Sequence, residues 1–148
     1  MSTRAVAPAD IRSGMEIPPL AKTAYQRALD ELSFSSDSIH NDEYTRGQGY
    51  DGALMSAYVL CGYMSELMVN FFGHHWMRGS RISLTFINGG VQQGDRITCR
   101  GRVTAATEYE DELRVEADIW MEKGEPSKKV VVGAASAVIR SQVSLLKT

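Results

Sequence analysis

The sequence predicts an α+β fold in which one long, buried helix is wrapped by an antiparallel β-sheet. Three observations predict it. The 20-residue stretch from Ala53 to Phe72 is apolar around almost its whole circumference, and such a helix belongs inside something. The segments after it alternate apolar and polar residues with a period of two. Short turn signals separate those segments, which favours hairpins over crossover connections.

The helix read ALMSAYVLCGYMSELMVNFF contains no proline and one internal glycine, Gly62, and Gly73 stops it. Leu54, Ala57, Cys61, Met64 and Met68 share one predicted face, while Met55, Tyr58, Val59, Leu60, Tyr63, Leu67, Val69, Phe71 and Phe72 cover much of the rest. Ser56, Ser65, Glu66 and Asn70 make it too polar to read as a membrane span. The strands follow. Ile82, Leu84 and Phe86 alternate with Arg81, Ser83 and Thr85, and Asn88-Gly89-Gly90 then marks a turn or bulge. After Gly94-Asp95, the residues Ile97, Cys99, Gly101 and Val103 alternate with charged and polar ones, as do Leu113, Val115, Ala117, Ile119 and Met121. Both segments have one wet and one dry face. VVVGAASAVI, from Val130 to Ile139, is apolar or small on both faces and suits a central strand lying close to the helix. Turns at Tyr109-Glu110-Asp111 and Lys123-Gly124-Glu125-Pro126 predict antiparallel hairpins. A sheet dry on one face and a helix apolar all round solve each other's burial problem, which is the hot-dog arrangement. The helix carries more apolar surface than one curved sheet covers, so a homodimer or higher oligomer is expected.

The part before the helix is more polar. Residues 1–14 read as a loosely ordered lead-in, and Pro18-Pro19 marks an extended segment. Thr23 and Gln26 have the spacing of a capping box, predicting a short helix from Ala24 to Leu32. Ser33 to Gly52 is rich in Ser, Asp, Asn and Gly and reads as a long loop with one helical turn around Glu43 to Arg46. Loops of that length in compact domains are often functional, the alternative being a flexible surface excursion.

Composition narrows the functional classes. A chain of 148 residues fits a single domain, and 43% hydrophobic with 23% charged residues is ordinary for a soluble globular protein. A net charge of −2 leaves no basic surplus for nucleic acid. With no apolar core of a signal peptide and only Cys61 and Cys99, a reducing cytoplasm is expected rather than a disulfide framework.

Several residues together resemble a known family. The run Ser35-Ser36-Asp37-Ser38-Ile39-His40-Asn41-Asp42, followed by Tyr44, Gly49-Tyr50 and the apolar helix, resembles the MaoC-like hydratase/dehydratases, whose signature is Ser-Gly-Asp-x-Asn-Pro-Ile-His-x-Asp. IRSGMEIPPL resembles their opening Gly-Asp-x-x-Pro segment, Gly94-Asp95 their strand start, and VVVGAASAVI their last strand. The coverage runs from about Ile11 to Ile139. Two departures stand out. The family's aspartate lies five residues before its histidine, whereas Asp37 lies three before His40, and without a gap Ser35 takes the aspartate position. The family's His-Gly pair in the helix is Ser56-Ala57 here.

The resemblance implies a hot-dog fold and reversible hydration of trans-2-enoyl thioesters of coenzyme A or a carrier protein to 3-hydroxyacyl thioesters. That chemistry needs proton transfer to and from water, a proton at the α-carbon and stabilisation of a developing oxyanion. An imidazole suits the first and backbone N–H groups at a helix start suit the last. His40 and Asp37 are the implied catalytic pair, with Ser35, Ser56 and Ala57 as implied substrate-binding residues. On residue type alone the His-Asn-Asp triplet reads as turn chemistry before catalysis, with Asp42 capping a short helix. His74 and His75 are adjacent, their side chains expected to diverge, and a charge role at the helix end is expected of them rather than metal binding. The methionines at helical spacing and Cys61 are expected in the core. No metal or redox cofactor is expected. The competing functions are a non-catalytic acyl-binding subunit that completes a partner's site and a thioesterase or tailoring enzyme using the same pocket.

Overall fold

The computed structural model describes residues 5–26, 42–49 and 52–140. Along the chain come strand β1 (Glu16–Thr23), the short helix α1 (Asp42–Gly47), the long helix α2 (Ala57–Phe72), a 3-10 turn (Gly73–Met77), and strands β2 (Arg81–Phe86), β3 (Arg96–Tyr109), β4 (Glu112–Lys123) and β5 (Lys128–Arg140). The five strands form one sheet in the order β1-β3-β4-β5-β2, and every neighbouring pair is antiparallel. Helix α2 packs on one face of it, which is the predicted hot-dog arrangement.

Alternation decides which face. In β3 the residues Ile97, Cys99 and Val103 point inward and are at most 2% exposed, as are Val115, Ala117, Ile119 and Met121 of β4. Their neighbours Arg100, Arg102, Arg114, Glu116 and Asp118 lie on the exposed outer face. The inner face meets Leu60, Met64, Leu67, Met68, Phe71 and Phe72 of α2. Burying a large apolar side chain contributes about 1.5–3 kcal/mol, so this seam carries most of the fold's stabilisation.

Four expectations are corrected. The helix begins at Ala57 rather than Ala53. Leu54 forms an isolated bridge with Gln92, and the Met55 N–H donates to the Val91 carbonyl, so the backbone just before the helix is held by the 88–95 loop. Second, the buried stripe is Leu60-Met64-Leu67-Phe71 with Met68 and Phe72, not the predicted face through Ala57 and Cys61. Ala57, Tyr58 and Gly62 are exposed and Cys61 is half-buried, because the sheet covers the helix from one side only.

Third, Thr23 closes a strand instead of opening a helix, and the Pro18-Pro19 segment is extended, as expected, as part of that strand. Two prolines argue against a central strand, but β1 is an edge, and its register with β3 shifts between Ile17 and Leu20, where the prolines sit. Thr23 ends that strand, so the Thr23–Gln26 capping box does not form; Gln26 is engaged elsewhere, and residues 27–32 of the expected helix lie outside the described residues. Fourth, the close approach that Gly133 of β5 permits is to a neighbouring strand. A Cβ on Gly133 would collide with the Ser83 carbonyl oxygen and with Leu84 of β2. The expected helical turn near Glu43 is α1. In the lead-in, Pro8–Asp10 forms a 3-10 turn, the Val6 N–H donates to the Phe71 carbonyl at 3.1 Å, and Ile11 is buried.

Candidate functional site

The start of α2 is where the polar groups of several elements converge. Ser56 is the N-cap, its backbone extended at φ −61° and ψ 139°. Its hydroxyl accepts the Tyr58 N–H at 3.3 Å, and its carbonyl accepts from Val59 and Leu60 at 3.1 and 3.3 Å. Its own N–H donates to Gln26 Oε1 at 2.7 Å. Gln26 in turn donates its backbone N–H to Gln93 Oε1 at 3.0 Å. Thus β1's continuation, the 88–95 loop and the helix start are joined through one glutamine side chain and its backbone.

A helix start leaves its first N–H groups without intrahelical partners. Here those of Ser56 and Tyr58 are taken up, whereas the Ala57 N–H has no acceptor among the described residues. Ala57 is exposed, so its N–H can donate to an approaching oxygen, and the helix dipole favours negative charge at that position. Ser56, by contrast, uses its hydroxyl oxygen to cap the Tyr58 N–H and spends its own N–H on Gln26.

Beside this point the segment after β1 is fastened to the helix a second time. Tyr63 Oη accepts the Tyr25 N–H at 3.1 Å and donates to the Tyr25 carbonyl at 3.2 Å. Lys22 Nζ pairs with Glu66 at 2.7 Å and lies 5.6 Å from the Tyr63 ring centre, and the Glu66 hydrogen bond holds the ammonium pKa above its ordinary value. Beside the 88–95 loop a groove of about 890 Å³ opens, lined by both signs of charge: Arg96, Arg100, Lys123 and Lys128 with Asp95, Glu122 and Glu125. Arg100 pairs with Glu122 at 3.1 Å and Lys123 with Asp95 at 2.9 Å, whereas Arg96 and Lys128 make no ion pair among the described residues.

Of the sequence-predicted site residues, Ser56 and Ala57 sit together at this helix start. Ser35, Asp37 and His40 lie outside the described residues. Gln26 and Gln93 are the residues that sequence reasoning missed. Gln26 was legible only as half of a capping box, and nothing local in the sequence links it to Gln93 or Ser56.

The other candidates resolve differently. His74 and His75 do not diverge: in the 3-10 turn their ring centres are 4.1 Å apart. Burial, and then the neighbouring His74, push the His75 pKa below its ordinary value, which opposes the expected charge role. No group of three or more His, Cys, Asp or Glu side chains converges as a metal site among the described residues. Met55, Met64 and Met68 are core residues, as expected. No described helix is long and apolar enough to cross a membrane.

Comparison with family models and with curated protein sequences gives no match. Solved structures do match in fold. A MaoC-like dehydratase from Rhodospirillum rubrum superposes with a TM-score of 0.70 at 17% identity, over 90% of this chain and 96% of that one. The ChsH1-ChsH2 complex from Mycobacterium tuberculosis gives 0.64 at 16% identity, over 89% and 99%. An (R)-hydratase from A. caviae involved in PHA biosynthesis gives 0.60 at 20% identity, over 86% and 96%. This chain is similar to all three in fold, and MaoC-like dehydratases and hot-dog proteins are its structural neighbours.

Proposed function

We propose that the protein is an acyl-thioester hydratase/dehydratase, interconverting trans-2-enoyl and 3-hydroxyacyl thioesters. The observation that supports this reading is the Ala57 N–H at the exposed start of the long helix, which has no acceptor among the described residues, in a fold shared with a MaoC-like dehydratase and an (R)-hydratase. In the hydration direction His40 accepts a proton from water as the water oxygen bonds to the β-carbon. The electron pair of the C=C bond moves onto the α-carbon and the thioester oxygen, where the Ala57 N–H stabilises it. The protonated His40 then gives that proton to the α-carbon, so that the elements of water are added across the double bond, the thioester carbonyl re-forms and the imidazole returns to its starting state. Asp37 holds the water and orients the imidazole. Ser35 joins Ser56 and Ala57 along the substrate.

A second reading is favoured by one departure, the replacement of the family's His-Gly pair by Ser56-Ala57 with Ser56 committed to the cap. On that reading the chain is a non-catalytic acyl-binding subunit. A homodimer or a dimer with a homologous chain fits either reading. Tyr58, 90% exposed, sits on an exposed face of α2, and β1 and β2 are the edges of the sheet among the described residues.

The test follows loss of enoyl-thioester absorbance with acyl chains of several lengths. Positioned general acid–base groups contribute about 10²–10⁴-fold, so His40→Ala should lose activity on that scale while remaining folded, and Asp37→Asn should lose less. Absence of turnover by the unaltered protein with every chain length, alongside retained binding of a saturated acyl thioester, would establish the acyl-binding reading instead.

A further inference from the structure

We infer that Gln26 is a positioning residue for the proposed reaction, setting the helix start so that the Ala57 N–H is the donor left without an acceptor among the described residues. The inference rests on the hydratase reading for its catalytic half. Its structural half stands on the hydrogen bonds alone. Gln26 reaches three elements at once. It follows β1, its Oε1 accepts the Ser56 N–H at 2.7 Å, and its N–H donates to Gln93 of the 88–95 loop at 3.0 Å. That loop holds the preceding residue, because the Met55 N–H donates to the Val91 carbonyl at 2.8 Å. The segment before α2 is therefore clamped between β1 and the loop. The Tyr63–Tyr25 hydrogen bonds prevent Gln26 from swinging away.

The choice of an amide matters chemically. A glutamine oxygen accepts the Ser56 N–H without bringing a negative charge, and so leaves the dipole at the helix start undiminished. A carboxylate in the same place would keep the hydrogen bond. It would also stand one residue from the Ala57 N–H, roughly 4–6 Å away given the ~3.8 Å spacing of neighbouring residues. There it would oppose the charge that develops on the thioester oxygen. A negative charge near a helix N-terminus nevertheless stabilises the helix. Stability and catalysis must then move in opposite directions in one variant, which a residue with a merely structural role would not produce.

The test compares Gln26→Glu with Gln26→Ala in the full chain. For Gln26→Glu we expect a midpoint of thermal unfolding equal to or above that of the unaltered protein, and protection of the Ser56 amide against hydrogen exchange retained. We expect kcat to fall by about ten- to a hundredfold with KM little changed, on the scale of losing part of an oxyanion donor's effect. The deficit, taken as the ratio to the unaltered protein at each pH, should shrink as pH falls through the carboxylate range. Gln26→Ala should lose Ser56 protection, stability and kcat together, with no pH-dependent ratio. Full kcat in Gln26→Glu, or unchanged Ser56 exchange in Gln26→Ala, would overturn the inference. If the unaltered protein turns over no enoyl thioester, the hydratase reading fails and the catalytic role assigned to Gln26 falls with it. The exchange measurement then decides separately whether Gln26 anchors the helix start.

Discussion

At the scale of single residues, burial and hydrogen bonding decide which side chains can do chemistry. Cys99 is fully buried on the inner face of β3, and burial pushes its thiol up to about 12, with the Glu66 charge adding to the effect. A thiol so rarely ionised is inert at neutral pH. Alkylation of the native protein at pH 8 should therefore modify the half-buried Cys61 alone, and mass spectrometry after denaturation should find both cysteines reactive. Glu122 is the opposite case. The Trp120 indole N–H donates to it at 2.8 Å and Arg100 and Ser127 also hydrogen-bond to it, which outweighs burial and lowers its pKa from the ordinary 4.5. A carboxyl whose pKa is lower folded than unfolded contributes stability above the unfolded value and loses it as pH falls through the folded value. Glu122→Gln should thus destabilise at pH 7, and the difference from the unaltered protein should narrow in chemical denaturation as pH drops below 4.5.

At the scale of elements, close approaches explain residues that periodicity leaves unexplained. Gly133 pairs with Leu84, and any side chain there meets the carbonyl of Ser83. Gly133→Ala must push β2 outward and should cost about 1–3 kcal/mol or more, read as a lowered denaturation midpoint. Because β2 is an edge strand, the fold should survive, with loss of amide protection concentrated in Arg81–Phe86. The opposite edge is held differently: Lys22 of β1 pairs with Glu66 of α2, so a side-chain contact ties that edge to the helix.

At the scale of the molecule, the sheet covers α2 from one side, leaving Ala57, Tyr58 and Gly62 exposed. A Cβ on Gly62 would meet nothing within 4 Å, so there is room at that position for a partner's side chain. The proposed dimer should appear in light scattering as twice the chain mass at micromolar concentration. A charged substitution at the most exposed of these positions, Tyr58→Lys, should shift it towards monomer if α2 lies in the interface. A stable monomer of the unaltered protein would remove the dimer from the proposal.

The sequence by itself determined the fold class, the buried helix, and the inner faces of β3 and β4, because each is written in a local period that burial enforces. Ile97, Cys99 and Val103 needed no knowledge of their partners to be placed inside. The turn residues Asn88 and Gly94 were equally local, the backbone at each adopting positive φ. Only the tertiary structure decided the rest. Whether Pro18-Pro19 lies in a strand depends on that strand being an edge, and which stripe of α2 is buried depends on the direction from which the sheet approaches. The meeting of Gln26, Ser56 and Gln93 depends on three segments 30 and 37 residues apart being brought to one point. Hydrogen bonds between distant polar side chains leave no period in the sequence, since each needs only one residue, and the fold alone supplies its partner.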